Sequence, residues 1–134
     1  MSGPPPPPED RRALGREGEA LAEAFLVGQG YQVLDRNHAT RRGEVDLICR
    51  EGEVTCFVEV RSRSDERHGS PLETIGLAKA RRVVAAATDW AWRHGKLEAA
   101  LRFDVVSVVW DGEGGQPRLT LIRDAFDGSG RPVP

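Results

Sequence analysis

Gly43-Glu44-Val45-Asp46-Leu47-Ile48, followed by Cys56-Phe57-Val58-Glu59-Val60-Arg61-Ser62-Arg63, is the stretch that decides the reading of this chain. Both runs are rich in β-branched, aromatic and other apolar residues, and Glu51-Gly52-Glu53 between them supplies glycine for a tight turn, so 44–50 and 54–63 read as a β-hairpin. Aspartate and glutamate form strands poorly and are costly to bury unpaired, yet Asp46 and Glu59 interrupt the apolar runs. A register that set residue 46 opposite 59 would hold their Cβ atoms about 4.5 to 5.5 Å apart on one face. Carboxylates that close repel unless a proton or a cation separates them, and such hard oxygen ligands suit Mg²⁺ or Mn²⁺. Strand alternation sends Glu59, Arg61 and Arg63 to one side, where a guanidinium beside the cation could share a phosphate with it. That set of groups suits phosphodiester hydrolysis. Spacing alone leaves open a cross-strand salt bridge, Asp46 or Glu59 with Arg61 or Arg63. Glycoside hydrolysis by paired carboxylates is disfavoured, because a sugar cleft is commonly lined by aromatics and only 6% of this chain is aromatic.

Outward from the hairpin, Leu14, Leu21, Ala22, Phe25 and Leu26 recur at helical spacing over 10–27, and Gly28 and Gly30 end the pattern. Residues 31–36 alternate and predict a strand, with 37–43 as a polar loop. Ser70-Pro71-Leu72-Glu73 has the form of a capping box opening a long helix to about residue 93, although Gly76 could split off its first turn; Ile75, Ala78, Val83, Ala86, Ala87 and Trp90 would face the core. Residues 101–110 predict a buried strand and 118–123 an edge strand. The order αβββαββ implies an α/β fold, a mixed central sheet flanked by helices. Residues 1–9 are expected to form a disordered Pro-rich tail, 10–126 a single domain, and 127–134 a flexible C-terminal tail.

The whole chain carries a formal charge of −2 over 134 residues, so any pull on nucleic acid must come from local basic clusters at Arg41 and Arg42, at Arg61, Arg63 and Arg67, and at Lys79, Arg81 and Arg82. No apolar run reaches the roughly 20 residues of a membrane-spanning helix, and 1–9 lack the features of a secretory signal, so a cytoplasmic location is expected with no membrane partner. Cys49 and Cys56 lie in apolar stretches without metal spacing and read as buried reduced thiols. His38, His68 and His94 read as surface residues, Trp90 as core, and Trp92 as outward-facing. Asp104, inside an apolar strand, needs a partner, and a structural salt bridge is expected there.

Taken together, Gly15-Arg16-Glu17-Gly18-Glu19, Gly30-Tyr31, Arg36-Asn37, the two hairpin runs and Arg102-Phe103-Asp104-Val105-Val106 resemble the YraN-like family, over about 15–126. That family is similar to the PD-(D/E)xK nucleases and archaeal-type Holliday junction resolvases. The resemblance implies the restriction-endonuclease-like three-layer core, αβββαβ, with Asp46, Glu59 and Arg61 as catalytic residues. It implies Asp46 and Glu59 as metal ligands, with Glu19 adding a third carboxylate, and Lys79 as a nucleic-acid contact, to which the local basic clusters add Arg63 and Arg42. Two positions depart from the pattern. Val45 stands where the motif has Pro, and Arg61 stands where it has Lys. Arginine stays protonated at ordinary pH, so Arg61 can grip phosphate but cannot act as a general base.

The function expected from these readings is a Mg²⁺- or Mn²⁺-dependent endonuclease acting on DNA more than RNA, branched or single-stranded forms included. The alternative is a nucleic-acid-binding module of the same fold with weak or no turnover. A further alternative is a protein–protein interaction module working through the Pro-rich tail or a dimer face. Cleavage of a branched substrate would favour a homodimer, because paired cuts need paired sites.

Overall fold

The computed structural model describes residues 11–63, 75–110 and 116–134. Along the chain run α1 (Arg11–Gly28), β1 (Gln32–Thr40), β2 (Gly43–Glu51), β3 (Val54–Arg63), α2 (Leu77–Arg93), β4 (Leu101–Val109) and β5 (Arg118–Phe126). The αβββαββ order is the one expected. The strands make one sheet in the order β1-β2-β3-β4-β5, in which only β3 and β4 are parallel, joined by the crossover that carries α2.

Each face of the sheet has its own core. Ala22 and Leu26 of α1 pack on Leu47, Cys49, Cys56, Val58, Val106 and Val108. Ala80, Val83, Ala86, Ala87 and Trp90 of α2 pack on Val45, Ile48, Phe57, Phe103 and Val105. The result is a three-layer α/β fold whose central strands are apolar on both sides, as strands buried on both faces must be. Cys49 and Cys56 face each other across β2 and β3 as buried free thiols. Trp90 is buried and Trp92 is exposed.

Several expectations shift. The polar loop at 37–43 is replaced by strand: β1 runs on to Thr40 and turns at Arg41-Arg42, where the Arg42 amide donates to the Thr40 hydroxyl at 3.1 Å. Its polar residues suit a strand because β1 is an edge with a wetted face, and pairing to β2 supplies the hydrogen bonds that its composition does not advertise. On α2, Ala80 and not Ala78 faces the core, because Ala80 shares the helix face of Val83 and Ala87 at spacings of three and seven. The capping box at Ser70 to Glu73, Arg67, His68 and the Pro-rich 1–9 lie outside the described residues. His38, read as a surface loop residue, is instead on β1, half-buried, with its Nε2 2.8 Å from Asp89 of α2. After Phe126 the chain turns: the Gly130 amide donates to the Asp127 carbonyl at 2.9 Å, and Val133 pairs back to Ala125 at 3.2 Å.

Where β2 begins, α2 comes close. A Cβ added at Gly43 would collide with the backbone carbonyl of Arg82, and backbone cannot rotate away as a side chain can. Gly43→Ala is therefore expected to destabilise the fold by about 1 to 3 kcal/mol or more, the usual cost of overpacking, measured as a lowered denaturation midpoint at an unchanged m-value. An unchanged midpoint would mean that α2 is free to shift at this point.

Candidate metal centre

The site lies where the sheet forks. The ladder between β2 and β3 ends at Leu47↔Val58, yet β2 stays paired to β1 as far as Gly43, and β3 stays paired to β4 as far as Arg63. One more step would have set 46 opposite 59, but the strands part there. Asp46 fills the opening. Its Oδ2 accepts the amide hydrogen of Val60, 2.8 Å away, a donor that lost its strand partner at the fork. The face alternation of β2 also slips at this point: Val45 and Ile48 both face α2, while Leu47 and Cys49 face α1. Asp46 occupies the slip and is within reach of both layers.

From α1 comes Glu19, whose carboxyl shares a hydrogen bond with that of Asp46. Gly18 allows this approach, since a Cβ there would fall on the Ser62 hydroxyl of β3. From β3 comes Glu59, 4% exposed, which also shares a hydrogen bond with Asp46. Lys79 of α2 completes the row with Nζ 3.3 Å from Glu59 Oε1. Glu59 Oε2 is buried with no hydrogen-bond partner. Arg61 and Arg63 follow Glu59 on the face toward α2, both half-buried, and Arg42 is exposed at the β1–β2 turn on the fork end of the sheet. Three carboxyl groups and an ammonium thus meet, drawn from four different elements.

Burial, followed by the neighbouring Asp46 charge, pushes Glu59 from the ordinary 4.5 up to about 8, with Lys79 pulling the other way. Burial and Asp46 likewise push Glu19 up to about 7. Burial raises Asp46 too, opposed first by its bond from the Val60 amide. Burial and the neighbouring charge thus favour the protonated forms of Glu59 and Glu19. A carboxyl whose folded value lies above its unfolded one stabilises the fold fully below the unfolded value, and that contribution is lost as pH rises through the folded value. With a chelator present, stability should fall from about pH 4.5 to about 8, and Glu59→Gln should flatten the fall; denaturation midpoints across that window measure it, and a flat wild-type profile would mean that the row is not proton-linked. At the far end of the sheet Glu51 behaves oppositely. Its bonds from Arg123 and then Arg102 hold it down at about 2, so its contribution is lost only as pH falls from about 4.5 toward 2.

The donor set is all oxygen and anionic, and the orphaned Glu59 Oε2 has unused acceptor capacity, so these residues fit a hard divalent cation. The carboxyl groups form a row about Asp46 and not a closed cage: among the described residues no group of three or more His, Cys, Asp or Glu side chains is arranged to hold a metal ion. Mg²⁺ suits such an open arrangement because it keeps several waters and takes only one or two carboxylates.

Beside Asp46, on the α1 side, β1 adds Arg36, at the end of the expected strand, and Asn37, the first residue of the expected loop. Arg36 makes a two-pronged pair with Glu23 of α1, at 2.6 and 2.8 Å. Asn37 has a left-handed backbone, φ 52°. The available signal was Arg36-Asn37 itself, a polar pair ahead of the hairpin. Asp104 is not part of this site; it is fully buried under Tyr31 and Arg102, the structural pairing expected for it.

The model of an uncharacterised protein family, UPF0102, matches residues 18–108. A UPF0102 protein of Anaeromyxobacter sp. (strain Fw109-5) is 65% identical over 92% of this chain and 91% of its own length. One from Anaeromyxobacter dehalogenans (strain 2CP-C) is 62% identical over 92% and 91%, and one from Myxococcus xanthus (strain DK1622) is 42% identical over 90% and 94%. Among the described residues no helix is long and apolar enough to cross a membrane.

Proposed function

The chain belongs to the uncharacterised protein family UPF0102, and from that premise we propose that it is a cytoplasmic, Mg²⁺- or Mn²⁺-dependent endonuclease acting on DNA. Asp46 at the sheet fork carries the reading, because Glu19 of α1 and Glu59 of β3 both meet it there, and Glu59 Oε2 is buried without a hydrogen-bond partner. Asp46 and Glu59 would hold the cation, with Glu19 as a third carboxylate. Such an ion, when bound, polarises a phosphate and acidifies water. Arg61 is permanently charged and on the Glu59 face, so it grips phosphate oxygens and stabilises charge developing on them. Lys79 rests on Glu59 at 3.3 Å. Its ammonium would be a phosphate contact, with Arg63 and Arg42 as further backbone contacts. A homodimer would pair two such sites on a branched substrate.

The test is incubation of purified protein with single-stranded, duplex and branched DNA in Mg²⁺ or Mn²⁺, with a chelator control. Metal-dependent cleavage of any form supports the reading; no cleavage of any form overturns it. Arg61 favours one second reading, a nucleic-acid-binding module without turnover, since a guanidinium at that position stays protonated and cannot take a proton from water. That module would bind DNA with a steep salt dependence, as phosphate contacts release counterions.

A further inference from the structure

Next to Asp46, between α1 and β1, is a cavity of about 220 Å³. Glu19, Ala20 and Glu23 of α1 line it on one side, Arg36 and Asn37 of β1 on the other, and Asp46 is at its inner end. Consecutive residues of a regular strand point to opposite faces. Arg36 and Asn37 both line this cavity, and the left-handed backbone at Asn37, φ 52°, is the local break in the strand that accompanies it. Asparagine tolerates that conformation better than most side chains, and residues held in it cluster at functional sites.

The two sides of Asp46 differ in charge. Toward α2 are Lys79, Arg61 and Arg63, where a phosphate backbone is attracted. Toward α1 the single cation of the cavity, Arg36, is already paired with Glu23, and the remaining charges are carboxyl groups. A phosphate is therefore repelled from the cavity, while a neutral group with hydrogen-bond donors is accepted by Glu19 and by the Asn37 amide. Pockets that enclose drug-sized ligands run from about 300 to 1,000 Å³; one of 220 Å³ takes a single heterocycle and excludes a base pair.

We propose that this cavity is a nucleobase subsite, which receives the base of one unpaired nucleotide adjacent to the phosphate held at Asp46 and Glu59. The inference rests on the nuclease reading above and adds its substrate class: DNA with an unpaired nucleotide at the cleavage position. A paired base must first leave its stack, and that cost is smallest for a base already unpaired.

Ala20 is exposed on α1, so Ala20→Phe fills the cavity while leaving every carboxylate residue in place. Asn37→Gly removes the amide and keeps the left-handed backbone, which glycine adopts freely. The experiment measures Kd by fluorescence anisotropy for a duplex with a single-nucleotide bulge and for the same duplex fully paired, in Ca²⁺, alongside Mn²⁺ titration calorimetry. Wild type should prefer the bulged duplex by tenfold or more. Ala20→Phe should lose that preference and Asn37→Gly most of it, both with Mn²⁺ affinity unchanged. Equal binding of the two duplexes by wild type, or a preference that survives Ala20→Phe, overturns the subsite alone. Absence of both Mn²⁺ binding and DNA binding in wild type overturns the nuclease reading and the subsite with it.

Discussion

Asp46→Asn is expected to abolish divalent-cation binding and, with it, DNA cleavage, while leaving the metal-free protein as stable as wild type or more so. The opposite signs follow from the geometry. Asparagine keeps an oxygen that can accept the Val60 amide hydrogen, now at 2.8 Å, so the fork remains satisfied. It removes the charge that pushes Glu59 and Glu19 upward, and with it a repulsion among buried acids. What is lost is the one carboxylate in contact with both others. Loss of an outer partner of a metal ligand typically costs about 10- to 100-fold in affinity; loss of the central ligand should exceed that. Mn²⁺ calorimetry with thermal unfolding in a chelator reads both effects. If Asp46→Asn weakens the fold and leaves Mn²⁺ affinity intact, Asp46 is a structural residue and the proposed function fails.

Asp104→Ala is expected to have the largest effect on stability, about 3 to 5 kcal/mol, as when one partner is removed from a buried ion pair. Asp104 has no exposed surface and accepts four hydrogen bonds: from Tyr31 Oη at 2.7 Å, Arg102 Nε at 2.8 Å, the Asp124 amide at 2.9 Å and a further Arg102 nitrogen at 3.0 Å. Burial and then this carboxylate hold the Tyr31 phenol above its ordinary range, and Asp104 is also the principal cause of the raised value of Arg102. Alanine would leave the phenol and the Asp124 amide without their acceptor. Arg102 would retain Glu51, at 2.7 Å, so the lower part of the range is expected. Against a total of about 5 to 15 kcal/mol for a domain, the change is large. Urea unfolding measures it, and a loss below about 1 kcal/mol would show that the network contributes little.

Element order, the hairpin and the identity of the acids were legible in the sequence because each has a local cause. The β-branched and apolar run from 54, the glycine turn after Glu51 and the helical stripe of Ala22, Phe25 and Leu26 act through neighbours in the chain, and a carboxylate amid Val, Leu and Ile is conspicuous wherever the chain goes. The extent of β1 was not legible, since an edge strand with one wetted face has the composition of a loop until β2 pairs with it. Nor was the fork. Spacing along two strands gives a register, but whether the ladder continues past Leu47↔Val58 depends on what β1 and β4 pull from either side. That parting, and the approach of α1 at Gly18 and of α2 at Gly43, bring Glu19 and Lys79 to Asp46 and Glu59. By itself the sequence determined which residues had to be satisfied in the interior, because burial of charge is a property of composition and pattern. Only the tertiary structure decided which groups satisfy them, because those groups come from elements far apart in the chain and meet only when both helices close on the sheet.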